Sequence, residues 1–311
     1  MSEAFELRAG GYRAVVESRG AALCRLDHDG DELLWGHEPG GEVRGFQGQL
    51  LVPWPNRVGE GRYVFGGVEH QLEITERGGG SAIHGLVHAL TWHADSVAPD
   101  RVVLGCVLDG APGYPFRLRV TADYRLDAEA GLEVAVTVDN SGTSAAPCGI
   151  GAHPYVRVDT DTVLDDATLR LPAHLRQPVD ERKLPVGPPR PVAGTDHDFR
   201  EARPIGATVF DTPFTGLRYG HDERAWTVLS GSTTTVGLWT DPGCPWLQVY
   251  SADNLVEPGN RGPLAVEPMT CPPNALATGD DLRVLAPGER TRARFGIARL
   301  GSGAAGVLEG P

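Results

Sequence analysis

The residues best suited to proton chemistry are few and sit in unusual local contexts. His153 lies in Gly149-Ile150-Gly151-Ala152-His153-Pro154-Tyr155. The glycines let a ligand approach the backbone, and Pro154 holds His153 extended. His84 lies in Ala82-Ile83-His84-Gly85, between a glycine-rich loop and a strand-like run. Glu267 interrupts the apolar run Leu264-Ala265-Val266-Glu267-Pro268-Met269. A carboxylate in such a run is desolvated, which raises its pKa and makes it a better base. A carboxylate and an imidazole tuned to opposite sides of neutrality can move protons on and off one substrate. Taken singly, each is more often structural. A histidine at a strand end is commonly a satisfied surface or core group, and a glutamate before proline often only ends a strand.

Other chemistries find little support. His84, His88 and His93 form the densest histidine cluster. On a helix the first two would share a face and could hold zinc. Gly85 follows His84, however, and Leu90-Thr91-Trp92-His93-Ala94-Asp95 alternates like a strand, so no metal is expected. Gly78-Gly79-Gly80-Ser81 lacks the lysine and helix of a phosphate cradle, and no Gly-x-Ser-x-Gly elbow occurs. Lys183 is the only lysine among 28 basic residues and sits in a Pro-rich stretch, a poor place to desolvate a Schiff-base amine. No cofactor is expected.

Strands must position these groups. Leu132, Val134, Val136 and Val138 share one face of an alternating run, and Arg117–Tyr124 and Trp226–Ser230 alternate likewise. Gly66-Gly67 between Tyr63-Val64-Phe65 and Val68–Leu72 predicts a two-residue hairpin, and Asp29-Gly30 lies in a second turn. Short helical turns are expected near Pro172–Arg176 and Ala275–Gly279, and the Pro-rich stretch from Gln177 to Asp198 reads as a long surface loop. With 41 glycines and 25 prolines, the pattern predicts an all-β protein built as a large antiparallel β-sandwich. Residues 1–300 read as one domain and 301–311 as a disordered tail.

Charge and hydropathy narrow the partners. The 41 acidic and 28 basic residues give −13, which argues against nucleic acid and anionic lipid. No apolar run approaches the roughly 18 residues of a membrane helix. The N-terminus lacks a basic region followed by an apolar stretch, and the five cysteines are odd in number and widely spaced. Together these predict a cytoplasmic protein with buried thiols.

The order of the pieces adds a resemblance. Pro53, Asn56-Arg57-Val58, Gly61, Tyr63 and Phe65, then His84-Gly85, then Gly151-Ala152-His153-Pro154-Tyr155, Asp211 and Glu267 together resemble the aldose 1-epimerase (galactose mutarotase) family. The resemblance runs from about Gly20 to Leu300 and implies a large β-sandwich fold. It further implies cofactor-free interconversion of the α and β anomers of a free aldohexose such as glucose or galactose. By position, Glu267 resembles the family's catalytic base and His153 its catalytic acid. Arg57 and His84 resemble the polar pair around the sugar ring, and Asp211 the sugar-binding aspartate, with Asp198 as a competitor. Trp54, Tyr155 and Trp246 are either core or a platform for the sugar's apolar face. A monosaccharide partner is expected, with a monomer or homodimer as the assembly. Three alternatives stand beside this reading: a hexose-6-phosphate 1-epimerase, a non-catalytic carbohydrate-binding protein, and a glycoside hydrolase using Glu267 and Asp211.

Overall fold

The computed structural model describes residues 2–159, 162–256 and 261–301. Of the tail expected to be disordered, 301–311, all but residue 301 lies outside them.

Two large antiparallel sheets dominate. The nine-stranded sheet has at its centre the long strands Arg101–Ala111, Tyr114–Asp127, Gly131–Asn140 and Arg290–Leu300. Alternation explains its inner face: Leu118, Val120, Ala122, Tyr124 and Leu126 are buried, while Arg117, Arg119 and Arg125 are exposed. The eight-stranded sheet runs, in spatial order, Arg190–Pro191, Ala173–Arg176, Asp211–Leu217, Trp246–Tyr250, Leu264–Met269, Gly151–Ala152 and Leu50–Leu51, with Tyr155–Val156 also pairing to Leu264–Met269. Apolar side chains from both sheets share one buried cluster that reaches from Phe5 to Ile297. A four-stranded N-terminal sheet, Ala4–Glu32, contributes Phe5, Leu7, Val16 and Leu26 to the same cluster. The fold is thus nearly all β, with large antiparallel sheets.

Both turn expectations match the structure. Arg62–Phe65 and Val68–Gln71 pair around Gly66 and Gly67, whose φ values of 59° and 79° are those of a type I′ turn. Leu23–His28 and Asp31–Glu32 pair around Asp29-Gly30. The short helix Ala275–Thr278 is present. The helical turn expected at Pro172–Arg176 is not: Ala173–Arg176 is a strand paired with both Arg190–Pro191 and Asp211–Leu217. The stretch Gln177–Asp198 is largely loop, as expected, apart from the two-residue strand Arg190–Pro191. Among the described residues, no helix is long and apolar enough to cross a membrane. All five cysteines are buried and unpaired.

Candidate active site

Period-two alternation places the polar groups. On Leu264–Met269, Leu264 and Val266 enter the main core, while Ala265 packs on the opposite face with Tyr155. Glu267 shares that opposite face. On Trp246–Tyr250, Leu247 and Val249 enter the core and Gln248 points the other way; on Asp211–Leu217, Phe214 enters the core. Register then lines the groups up: Gln248 lies opposite Glu267 on one side and Pro213 on the other. Gln248 Nε2 donates to Asp211 Oδ1 at 2.6 Å. Asp211, Gln248 and Glu267 therefore form a polar row across three adjacent strands.

Loops cover this row. His153 follows the short strand Gly151–Ala152, and its backbone is clamped on both sides. Its N–H donates to Gln49 O at 3.0 Å, and its carbonyl accepts from Gly48 N–H at 2.9 Å. Tyr155 stacks on the imidazole with ring centroids 4.8 Å apart, and its hydroxyl donates to Gly45 O. His153 Nε2 lies 3.3 Å from Glu267 Oε1, with both side chains at most 4% exposed.

His84 takes the left-handed conformation (φ 63°), as does Gly85 after it. A Cβ at position 85 would sit 2.3 Å from Val52 O, so glycine is required for this close approach. The turn holds His84 against Asn56. His84 N–H donates to Asn56 O at 2.9 Å, and Asn56 N–H donates to His84 Nδ1 at 3.2 Å. A ring accepting at Nδ1 carries its proton on Nε2. The His84 and His153 rings meet edge-on at 5.2 Å, and Phe46 contacts His84, His88 and His153.

Arg57 lies on Arg57–Gly59, opposite Ile83. Its Nε and Nη2 donate to the Glu76 carboxylate at 2.7–3.1 Å, while Nη1 has only a 3.5 Å contact with Asn56 Oδ1. That fork fixes the guanidinium plane and leaves Nη1 available. The loop after Gln177 closes beside it. Arg182 donates to the carbonyls of Gly79 and Gly80, and Lys183 Nζ lies 3.7 Å from Asp211 Oδ2.

Burial governs the electrostatics. Desolvation pushes the Glu267 carboxyl well above its ordinary range; the Asp211 charge adds to the rise, and Arg57 opposes it. Desolvation, with a contribution from Arg57, lowers His153 to about 3. Desolvation, His153 and Arg57 also hold His84 well below its ordinary value. Glu267 Oε2 and Gln248 Oε1 are buried without a hydrogen-bond partner among the described residues. Buried acceptors left open in this way await a donor.

The structure thus brings together Glu267, His153, His84, Arg57 and Asp211. His88 sits at the edge of the group through Phe46, while His93 pairs with Asp95 in an exposed position on the sheet edge. Asp198 is elsewhere: it binds Arg200 through two hydrogen bonds and lines a cavity of about 890 Å³ that contains none of these groups. That removes it as a rival to Asp211. Trp54 is core, Tyr155 reaches the site by stacking on His153, and Trp246, on the same sheet face as Gln248, gives its Nε1–H to Asp281. Glu76, Gln248, Phe46 and Lys183 are additions the sequence reading missed. Gln248 alone carried a signal, as the polar member of the strand Trp-Leu-Gln-Val-Tyr. Donor atoms of His84, His153 and Glu267 lie within 4.8 Å of one another, a spacing that could hold an ion. His84 accepts at Nδ1 and so carries its proton on Nε2, which leaves it no free lone pair for such a role.

The family model for aldose 1-epimerase matches residues 3–298. The chain is 37% identical over 292 residues to the uncharacterized protein YihR of Escherichia coli, covering 94% of this chain and 91% of that one. It is 29% identical over 237 residues to the aldose 1-epimerase of Escherichia coli, covering 70% and 66%. Among solved structures, the GalM/aldose epimerase homologue from C. elegans superposes with a TM-score of 0.85 at 17% identity, covering 97% of this chain and all of that one. Galactose 1-epimerase from Lactobacillus acidophilus gives 0.79 at 22% identity, covering 96% and 99%. These last two likenesses show a galactose mutarotase-like fold.

Proposed function

The chain belongs to the aldose 1-epimerase family, and on that premise we propose that it interconverts the α and β anomers of a free aldohexose such as glucose or galactose. The observation that carries the reading is the buried contact of Glu267 Oε1 with His153 Nε2 at 3.3 Å.

Anomer exchange requires a proton to leave the C1 hydroxyl while another reaches the ring oxygen. Both oxygens are bonded to C1, so base and acid must converge on one small region, as this pair does. In the proposed reaction the Glu267 carboxylate accepts the proton from O1, and the His153 imidazolium gives its proton to O5. The C1–O5 bond breaks to leave an open-chain aldehyde. Rotation about C1–C2 presents the other carbonyl face. O5 then attacks it, His153 recovers its proton, and Glu267 returns its own to the new hydroxyl.

The proton inventory fits. Before ring opening the pair holds one proton, on His153; after it the pair still holds one, on Glu267. Burial favours the neutral imidazole and the neutral carboxyl, which is the pair's protonation in the open-chain state. Desolvation therefore helps stabilise the intermediate side of the reaction. Arg57 Nη1 and His84 Nε2–H would donate to sugar oxygens, while Asp211 and Gln248 Oε1 would accept from hydroxyls. In this reading Glu76 positions Arg57.

Polarimetry on freshly dissolved α-glucose and α-galactose tests the proposal. The protein should speed the approach to equilibrium rotation; an unchanged rate with both sugars, and with other aldohexoses, would leave a binding protein as the better reading. Lys183, partly exposed beside Asp211, supports a second reading in which the sugar carries a 6-phosphate. Tighter competition by glucose 6-phosphate than by glucose would favour it.

A further inference from the structure

Away from the sugar pocket, three side chains of metal-ligating type converge on the N-terminal sheet. Glu17 ends the strand Tyr12–Glu17, Cys24 lies in Leu23–His28, and His37 follows Trp35-Gly36 in an irregular segment. His37 Nε2 is 3.0 Å from Glu17 Oε1 and 3.6 Å from Cys24 Sγ. All three donor atoms lie within 4.8 Å of one another. Zinc bonds of about 2.0–2.3 Å imply ligand-to-ligand edges of about 3.3–3.7 Å in a tetrahedron. The observed spacings bracket those edges, so small side-chain shifts would bring all three donors onto one ion.

Several independent features build this arrangement. Strand register passes from Val15↔Arg25 to Val16↔Leu23, which leaves Cys24 as the extra residue of a bulge. A bulge re-aims the side chain it carries. Cys24 accordingly packs with Val15 and Ala22 in a small cluster separate from the main core. The His37 segment can approach only because residue 36 is glycine: a Cβ there would lie 1.7 Å from Cys24 O. Glu17 Oε2 accepts from Gly40 N–H and from Ser2 Oγ, each at 2.9 Å, which turns Oε1 toward His37. All three side chains are nearly inaccessible, yet Cys24, Gly36 and His37 line a cavity of about 520 Å³. That cavity gives an ion a route in and a place for a fourth ligand.

We infer that Glu17, Cys24 and His37 form a binding site for a divalent transition-metal ion of the zinc type, with a fourth position open to the adjoining cavity. Thiolate and carboxylate together supply two negative charges, which balance a divalent cation. The thiolate–imidazole combination selects zinc, cobalt or copper over magnesium and calcium. On binding, the Sγ–H proton of Cys24 is released to solvent and the His37 ring proton, which faces Glu17 Oε1 on Nε2, moves to Nδ1; Sγ and the freed Nε2 lone pair then bond the metal beside Glu17 Oε1. The site lies outside the proposed sugar chemistry and does not depend on it.

Cobalt(II) is the probe. The full chain, stripped with a chelator and titrated with cobalt chloride, should show a near-ultraviolet thiolate-to-cobalt charge-transfer band that saturates at one equivalent and is bleached by zinc. Cys24→Ser should abolish the band, and Cys106→Ser should leave it intact. His37→Gln keeps the thiol and should raise the cobalt Kd by at least about tenfold. It keeps the test decisive should Cys24→Ser fail to fold. The sulfur signature separates this site from the His84–His153–Glu267 cluster, which contains no thiol. Absence of the band in the stripped wild type, its survival in Cys24→Ser, or an unchanged Kd in His37→Gln would overturn the inference.

Discussion

Replacing Glu267 by glutamine separates two consequences of one buried carboxyl. Glutamine keeps the shape of the side chain but cannot take a proton from O1. General acid–base groups contribute about 10²–10⁴-fold, equivalent to about 2.7–5.4 kcal/mol of barrier. The neighbouring carboxylate is a poor substitute: Asp211 is already bonded to Gln248 Nε2 and sits beside Lys183. The loss should therefore fall in the upper part of that range, in kcat rather than KM, as read by polarimetry with saturating sugar. Stability should move the opposite way. The folded state holds the Glu267 proton well above the ordinary value of 4.5. The residue's contribution to stability is thus fully present below about pH 4.5 and is lost as pH rises through the folded pKa. The variant escapes that loss, so its melting temperature should exceed the wild type's in mildly alkaline buffer and converge with it near pH 4. Activity within tenfold of wild type would remove Glu267 as the base. A stability gain that grows toward acid pH would refute the desolvation argument.

Other outcomes follow from the same geometry. Because His153 is lowered to about 3, the unfolded chain takes up a proton there between pH 6.5 and about 3 that the folded chain does not, so stability falls as pH drops through that window. His153→Gln should flatten the fall, measured as denaturant midpoints near pH 7 and near pH 4, and should also cut turnover. Arg57→Lys loses the fork to Glu76; hydrogen bonds to charged groups are worth about 1.5–3 kcal/mol, so kcat/KM should drop by about 10–150-fold. Gln248→Leu frees Asp211 and removes an acceptor, and should raise KM by about 3–10-fold with a smaller change in kcat. Dialysis against EDTA should leave mutarotation at its full rate.

What the sequence disclosed depended on how local each signal was. Glu267 in an apolar strand, His153 between glycines and a proline, and the Gly66-Gly67 hairpin are visible within a few residues. The polar row on the outer face of the eight-stranded sheet was only half visible, because it depends on the pairing of Asp211–Leu217 with Trp246–Tyr250, a matter of register between distant segments. Glu76 was invisible: its place beneath Arg57 follows from the docking of the 75–81 loop on Arg57–Gly59. Ala173–Arg176 was misread as helical because Ala, Leu and Arg favour helix locally, and edge pairing in the sheet overrode that preference. The Asp198 and Asp211 alternatives were separable only in three dimensions, since each stands among aromatic residues in sequence.

The polar row has a consequence for how the gene can vary. Strand side chains alternate, so a one-residue slip of Asp211–Leu217, Trp246–Tyr250 or Leu264–Met269 would turn Asp211, Gln248 or Glu267 into the apolar layer and push Phe214, Val249 or Val266 outward. Single-residue insertions or deletions within those three strands should therefore abolish accumulation of folded protein, not merely activity. The same lesions in the 186–189 loop, which makes no strand pairs, should be borne far more readily. Alignment gaps among related sequences should accordingly be excluded from the three strands and gather in the loops between them.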